Sequence, residues 1–297
     1  MYNATERPRM FHPPTLHFLG LTEYETSFEK AKFIVIPVPY DSTASYRPGS
    51  RNGPQSILLA SQNLELFDLK SQSEPYQKGI YTLAEIEPTR GNVLETLTSI
   101  TDITKKVLEI NKIPVLLGGE HTITIGSTNA FSSEVIVVTL DAHSDLRDNY
   151  LGDHYCHASV MRRIIDQGKQ VIEIGVRSMC KEEFDLIHQK HIPVYNIESL
   201  RQRGIKQTIQ EVKERVAGKK VYLSIDMDVF DPSEAPGVST PEPGGLDYFN
   251  IEEIIQNICQ SCHIVGCDLV EVTPIPGNNI TEFLAAKILY KIFGFIP

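Results

Sequence analysis

Residues 135–140 are apolar apart from Thr139, and the run breaks into Asp141-Ala-His143-Ser-Asp145. β-Branched side chains dominate it and no polar position alternates, so it reads as a strand buried on both faces. Such a strand lies inside a sheet covered by helices on either side, and the rest of the chain must supply that cover. Side chains two positions apart on extended backbone point the same way. Asp141, His143 and Asp145 therefore converge where the strand opens into a loop, and buried carboxylates there must be paired or metal-bound.

The design repeats along the chain. Residues 32–38, 113–117, 170–176, 193–195, 221–225 and 263–269 read as further strands. Apolar residues at helical spacing mark helices across 92–110, 156–167, 181–190, 205–216, 251–258 and 281–293, and Pro54 opens another. Residues 65–91 are less periodic and read as short strands. Strands alternating with helices give an α/β protein, a mainly parallel central sheet in a three-layer α/β/α arrangement. Gly118-Gly119-Glu120-His121, the Asp141–His143–Asp145 cluster, Asp226-Met-Asp228 and Glu271 each follow the C-terminal end of a strand. Open α/β sheets bind their ligands there. Gly118-Gly119 serves close backbone approach and not phosphate binding, since no GxGxxG or GK[ST] accompanies it.

One domain over residues 1–297, with an N-terminal arm at 1–30, accommodates this pattern. A net charge of −10 argues against a nucleic-acid partner, and no apolar stretch has the length of a membrane span. The chain has five cysteines and no N-terminal signal pattern, which predicts a reducing, cytoplasmic setting. Cys259, Cys262 and Cys267 lack a second pair at zinc spacing and read as buried or idle thiols.

His121, Asp141, His143, Asp145, Asp226 and Asp228 form a ligand set rich in oxygen and imidazole, without thiolate. That mix suits Mn²⁺ better than a structural Zn²⁺, and the number of donors predicts two ions with bridging carboxylates. Two such ions lower the pKa of a shared water for attack on an electrophilic carbon. A lone DxHxD is equally a surface or N-cap cluster. The added DxD and GGEH segments at strand ends weigh against that reading.

The motifs GGEH at 118–121, DAHSD at 141–145, SIDMDVFDP at 224–232 and the later Glu271 resemble the signature of the ureohydrolases, the arginase and agmatinase family. The likeness runs from Arg47 to the Thr281-Glu282 segment, and His157-Ala-Ser-Val-Met-Arg-Arg is most similar to agmatinases. The resemblance implies an arginase-like fold with two Mn²⁺ per chain. His121 and Asp145 would bind one ion and His143 and Asp228 the other, with Asp141 and Asp226 as bridges. It implies that Glu271 holds a small cationic guanidino substrate and that His157 shuttles a proton, with His154 a nearby competitor. His157 is followed by Ala158 where the family usually has glycine. Agmatine, giving putrescine in polyamine biosynthesis, is the first expected substrate; arginine, guanidinobutyrate and aminopropyl-agmatine are the alternatives. A non-catalytic metal-binding relative is the rival of another class. The family also implies a homo-oligomer, a trimer or hexamer. Pro232 fixes the turn out of its strand, with Asp231 bonding local backbone.

Overall fold

The computed structural model describes residues 16–22 and 25–297. The strands are β1 (Phe33–Val38), β2 (Ile80–Thr82), β3 (Ile113–Gly118), β4 (Ile136–Leu140), β5 (Gln170–Ile174), β6 (Val194–Tyr195), β7 (Lys220–Asp226) and β8 (His263–Val270). They form one sheet in the order β2-β1-β3-β8-β7-β4-β5-β6, and every pairing is parallel. Parallel neighbours need a crossover on one face or the other. The helices that supply these are α1 (Gly53–Ser61), α2 (Val93–Glu109), α3 (Ile123–Thr128), α4 (Val160–Asp166), α5 (Lys181–Lys190), α6 (Ile197–Arg203), α7 (Ile205–Val216) and α8 (Tyr248–Ser261), and α9 (Ile280–Phe295) follows β8.

Because both faces are covered, the strands feed two cores. Phe33 and Val35 of β1 enter one, under α1, α6, α7, α8 and α9. Ile34, Ile36 and Val38 enter the other, under α2, α3 and α4. The three-layer α/β/α expectation is met. Of the expected arm 1–30, residues 1–15, 23 and 24 lie outside the described residues. Within the described part, Phe18 is buried with its ring 5.6 Å from that of Phe293. Among the described residues, no helix is long and apolar enough to cross a membrane.

Three local features differ from the sequence reading. The helix expected from 156 starts at Val160, after a 3₁₀ turn at His157–Ser159. The Ser159 hydroxyl accepts from Cys156 N–H and donates to the His154 carbonyl, and such local bonds compete with a helix start. Of the short strands expected in residues 65–91, β2 alone joins the sheet, after a 3₁₀ turn at Pro75–Lys78. The helices α3 and α6 went unread; α3 is wholly buried, so it has no polar face to set a period. At the cysteines, α8 ends just before β8, and Cys259, Cys262 and Cys267 are buried free thiols. Burial pushes their pKa values up, that of Cys262 to about 12.

Candidate metal centre

The chain runs from β3 directly into β4, yet the sheet inserts β8 and β7 between them. A crevice opens at such a switch point, outside the carboxyl ends of the strands. Neighbouring strands are about 4.8 Å apart, so the four loops that follow β3, β8, β7 and β4 meet there. Those loops carry His121, Glu271, the Asp226–Asp228 pair and the Asp141–Asp145 cluster. Close packing beneath them explains Gly119: a Cβ there would lie 2.1 Å from the Tyr40 carbonyl oxygen. Asp145 and Glu271 have φ of 51° and 66°, in the left-handed region. Holding non-glycine residues there costs on the order of 1 kcal/mol each and is common at functional sites.

The side chains converge as the spacing predicts. His121 Nδ1 stands 3.1 Å from Asp141 Oδ2, 3.2 Å from Asp145 Oδ2 and 3.3 Å from Asp226 Oδ2. His143 Nδ1 is 2.8 Å from Asp228 Oδ2 and 3.7 Å from Asp141 Oδ1. Two donor groups result, His121–Asp141–Asp226 and Asp141–His143–Asp228, and Asp141 belongs to both. Donors about 3 Å apart have the spacing of two ligands at right angles on one ion with bonds of about 2.1 Å.

Hydrogen-bond accounting shows that the first group fits a cation. Ser224 Oγ donates to Asp268 Oδ1 at 2.6 Å, so its oxygen accepts the proton on His121 Nε2 at 3.0 Å. Tyr222 and Thr124 hold the other Asp268 oxygen, each at 2.7 Å. The neutral imidazole then turns the Nδ1 lone pair toward three carboxylates. His121 Nδ1 and Asp141 Oδ2 are buried and have no hydrogen-bond partner. Lone pairs facing one another at this range need a proton or a metal between them. Without a metal, burial opposes a charged His121, but the surrounding acids outweigh it and push its pKa well up. Asp145 is raised to about 7 and Asp226 well above its ordinary range, by burial first and then by neighbouring acids. The cluster has a deficit of positive charge that a divalent ion would fill.

His121, His143, Asp145, Asp226 and Asp228 line a cavity of about 240 Å³, together with Glu271 and His157, while Asp141 lies buried behind them. Glu271 is buried and accepts from His121 N–H at 2.7 Å. Burial, then the charge of Glu120, raises its pKa to about 8. His157 contacts Thr43 and Ser45, and its pKa is lowered, chiefly by burial. His154 is bonded to the Asp148 carbonyl at 2.8 Å and is not among the lining residues. Asp231 accepts from Ser233, Gly244 and Gly245 backbone N–H groups, the local bracing expected of it.

The motifs alone did not reveal Arg177 or the Ser224–Asp268 pair. Arg177 Nη2 donates at 2.7 Å to the carbonyls of both Asp228 and Glu242, tying the loop after β7 to the sheet. An arginine that bonds backbone, or a serine that bonds a distant carboxylate, carries no ligand spacing to recognise.

An Arginase family model matches residues 31–294. The chain belongs to the arginase family. It is 38% identical to an N(1)-aminopropylagmatine ureohydrolase of Synechocystis sp., over 97% of this chain and 96% of that one. An agmatinase of Bacillus cereus is 34% identical over 88% and 90%. In three dimensions the chain is similar to the agmatine ureohydrolase of Thermoplasma volcanium, with a TM-score of 0.84 and 35% identity over 91% of this chain and 92% of that one. As an arginase-family ureohydrolase, the chain is a hydrolase acting on amidines.

Proposed function

We propose that the crevice holds two Mn²⁺ ions and that the chain hydrolyses a cationic alkylguanidine to urea and an amine. The observation that carries this is the pair of donor groups sharing the buried Asp141, whose other members line one cavity with the buried acid Glu271. His121 and Asp145 would hold one ion and His143 and Asp228 the other, with Asp141 and Asp226 shared between them. Oxygen and imidazole donors without thiolate favour Mn²⁺ over a structural Zn²⁺. Bound there, two ions supply Lewis-acid charge that lowers the pKa of water.

The remaining chemistry belongs to the side chains. Glu271 takes the guanidinium in a bidentate carboxylate–guanidinium pair and orients its carbon. An acid that burial makes reluctant to ionise alone becomes a selective partner for a cation. His157, neutral because burial lowers its pKa, accepts a proton and returns it to the leaving nitrogen as the C–N bond breaks. Water and the guanidinium thus give urea and a protonated amine.

We rank N(1)-aminopropylagmatine first and agmatine second, because the Synechocystis relative is matched at higher identity and over more of the chain than the agmatinase. Arginine and guanidinobutyrate follow. The homo-oligomer, a trimer or hexamer, is part of the same proposal, and sedimentation of the purified chain tests it. Urea release with Mn²⁺ over these four substrates tests the activity and the ranking. The expected order is the one just given; two bound ions with no urea from any of the four would make the chain a non-catalytic metal binder.

A further inference from the structure

Glu120, the acid of the GGEH motif, is buried and turns away from the donor groups. It accepts from Ser42 N–H at 2.9 Å and Thr43 N–H at 2.6 Å, from the Thr43 hydroxyl at 2.5 Å, and from the Thr122 hydroxyl. A carboxylate with four donors is an acceptor only. The single proton of Thr43 is therefore committed to Glu120. Two contacts remain at Thr43 Oγ1, and both come from His157: its backbone N at 3.2 Å and its Nδ1 at 3.1 Å. An oxygen whose proton is already spent can only accept.

We propose that Glu120, acting through Thr43, fixes His157 as the Nδ1–H tautomer and so turns Nε2 into the working nitrogen. The other ring nitrogen agrees with this. His157 Nε2 lies 3.2 Å from Ser45 Oγ, and both residues line the cavity. A serine hydroxyl rotates to donate or accept, so it serves Nε2 in either protonation state. Tyr150 meets the His157 ring edge-on at 5.8 Å and restricts its rotation. The same device holds His121, where Ser224 spends its proton on Asp268 and accepts from Nε2. Two histidines are thus aimed by a hydroxyl locked onto a buried carboxylate, through opposite ring nitrogens. Glu120 and Thr43 are positioning residues; in this arrangement neither touches the reacting atoms.

The assignment rests on His157 as the proton carrier proposed above, and the test separates the two. Thr43→Val keeps the shape and deletes the hydroxyl; Thr43→Ser keeps the hydroxyl. Histidine ring ¹⁵N spectra are recorded above the His157 titration range, with diamagnetic Mg²⁺ in place of Mn²⁺, and His157→Asn identifies the signal. The wild type and Thr43→Ser should show Nδ1–H, and Thr43→Val should shift toward Nε2–H. With Mn²⁺, Thr43→Val should lose about tenfold or more in kcat, with KM within about twofold, as loss of a histidine's orienting partner does. Thr43→Ser should recover most of it, and both variants should retain Mn²⁺. An Nε2–H signal in the wild type overturns the tautomer assignment, and an unchanged Nδ1–H signal in Thr43→Val overturns the role of Glu120 and Thr43 in fixing it. Wild-type turnover in His157→Asn instead overturns the shuttle, while the spectra continue to decide the tautomer.

Discussion

Two buried clusters of acids in this molecule solve the problem of charge in opposite ways. Between α8, α9 and the loop after α1, Lys291 Nζ pairs with Asp68 at 2.5 Å and with Glu252 at 2.8 Å. Lys70 adds a second cation on Glu252 at 2.7 Å, and Ser71 and Tyr248 donate to the remaining lone pairs. Two acids thus meet two lysines. Burial alone would raise Asp68 and Glu252, yet Lys291 and the other donors outweigh it and hold both below their ordinary range. At the crevice four aspartates meet two histidines and no lysine, and burial with mutual repulsion pushes Asp145 and Asp226 up. A buried acid cluster that the chain neutralises itself holds the fold together. One left short of cations is completed by what binds.

The largest expected effect tests the incomplete cluster. Chelation should abolish urea release, and Mn²⁺ should restore it better than Mg²⁺. Asp226→Asn should lower activity by on the order of 1000-fold or more, since in the proposed two-metal arrangement it removes a ligand charge. Its metal content should fall by elemental analysis. Asp231→Asn, in the same loop, should stay near two ions per chain, because its carboxylate braces backbone. Full activity in metal-free protein, or equal metal loss in both variants, would erase the contrast.

Next comes the complete cluster. Lys291→Met leaves two buried carboxylates without their shared cation and should cost about 3 kcal/mol of stability, read from denaturant midpoints. Adding Asp68→Asn and Glu252→Gln should recover most of that, because the unpaired charges go too. The pH dependence follows from the shifts. Asp68 and Glu252 are depressed, so their contribution is present above about pH 4 and lost as pH falls through their folded values. Lys291 is raised, so its contribution holds below about pH 10.5 and fades as pH rises further. Lys291→Met should flatten both limbs.

The two clusters also differ in how far the sequence reveals them. Asp141, His143 and Asp145 sit within five residues, and Asp226 and Asp228 two apart, so local spacing exposes them before any fold is known. Their strand-end positions follow from hydrophobic runs. Asp68, Glu252 and Lys291 come from three distant segments, and each alone looks like an ordinary surface charge; only tertiary packing of α9 against α8 brings them together. The same reason hides Thr43 and Ser224, hydroxyls whose role depends on which carboxylate claims their proton. The sequence shows no period for α3 because Ile123, Thr124, Ile125 and Thr128 are all buried, and amphipathic period needs a wet face.

Glu271 sharpens the distinction, being a buried acid that in the proposed reading pairs with a cation other than the metal. Glu271→Gln should keep its Mn²⁺ and lose on the order of 100-fold in kcat/KM, as charge-assisted pairing with the guanidinium is removed. A neutral competitor should lose less affinity than agmatine. His157→Asn should also keep its metal, and lower kcat by about 10- to 100-fold with little change in KM. Metal loss in either variant would merge Glu271 or His157 with the aspartate cluster.

The smallest expected effect is a coupling near zero. Ions that bind only the folded chain stabilise it by about 2.7 kcal/mol at a hundredfold excess over their dissociation constant. Lys291→Met should gain as much from Mn²⁺ as the wild type does, because the two clusters share no residue and no hydrogen-bond partner. Sites independent in this way add to within about 0.5 kcal/mol. The four denaturant midpoints, wild type and Lys291→Met with and without Mn²⁺, form a cycle that measures this directly. A coupling well above that margin would mean that packing around α9 sets the crevice geometry. The lysine cluster would then belong to the active site's construction, and the division between an acid cluster for stability and one for chemistry would fail.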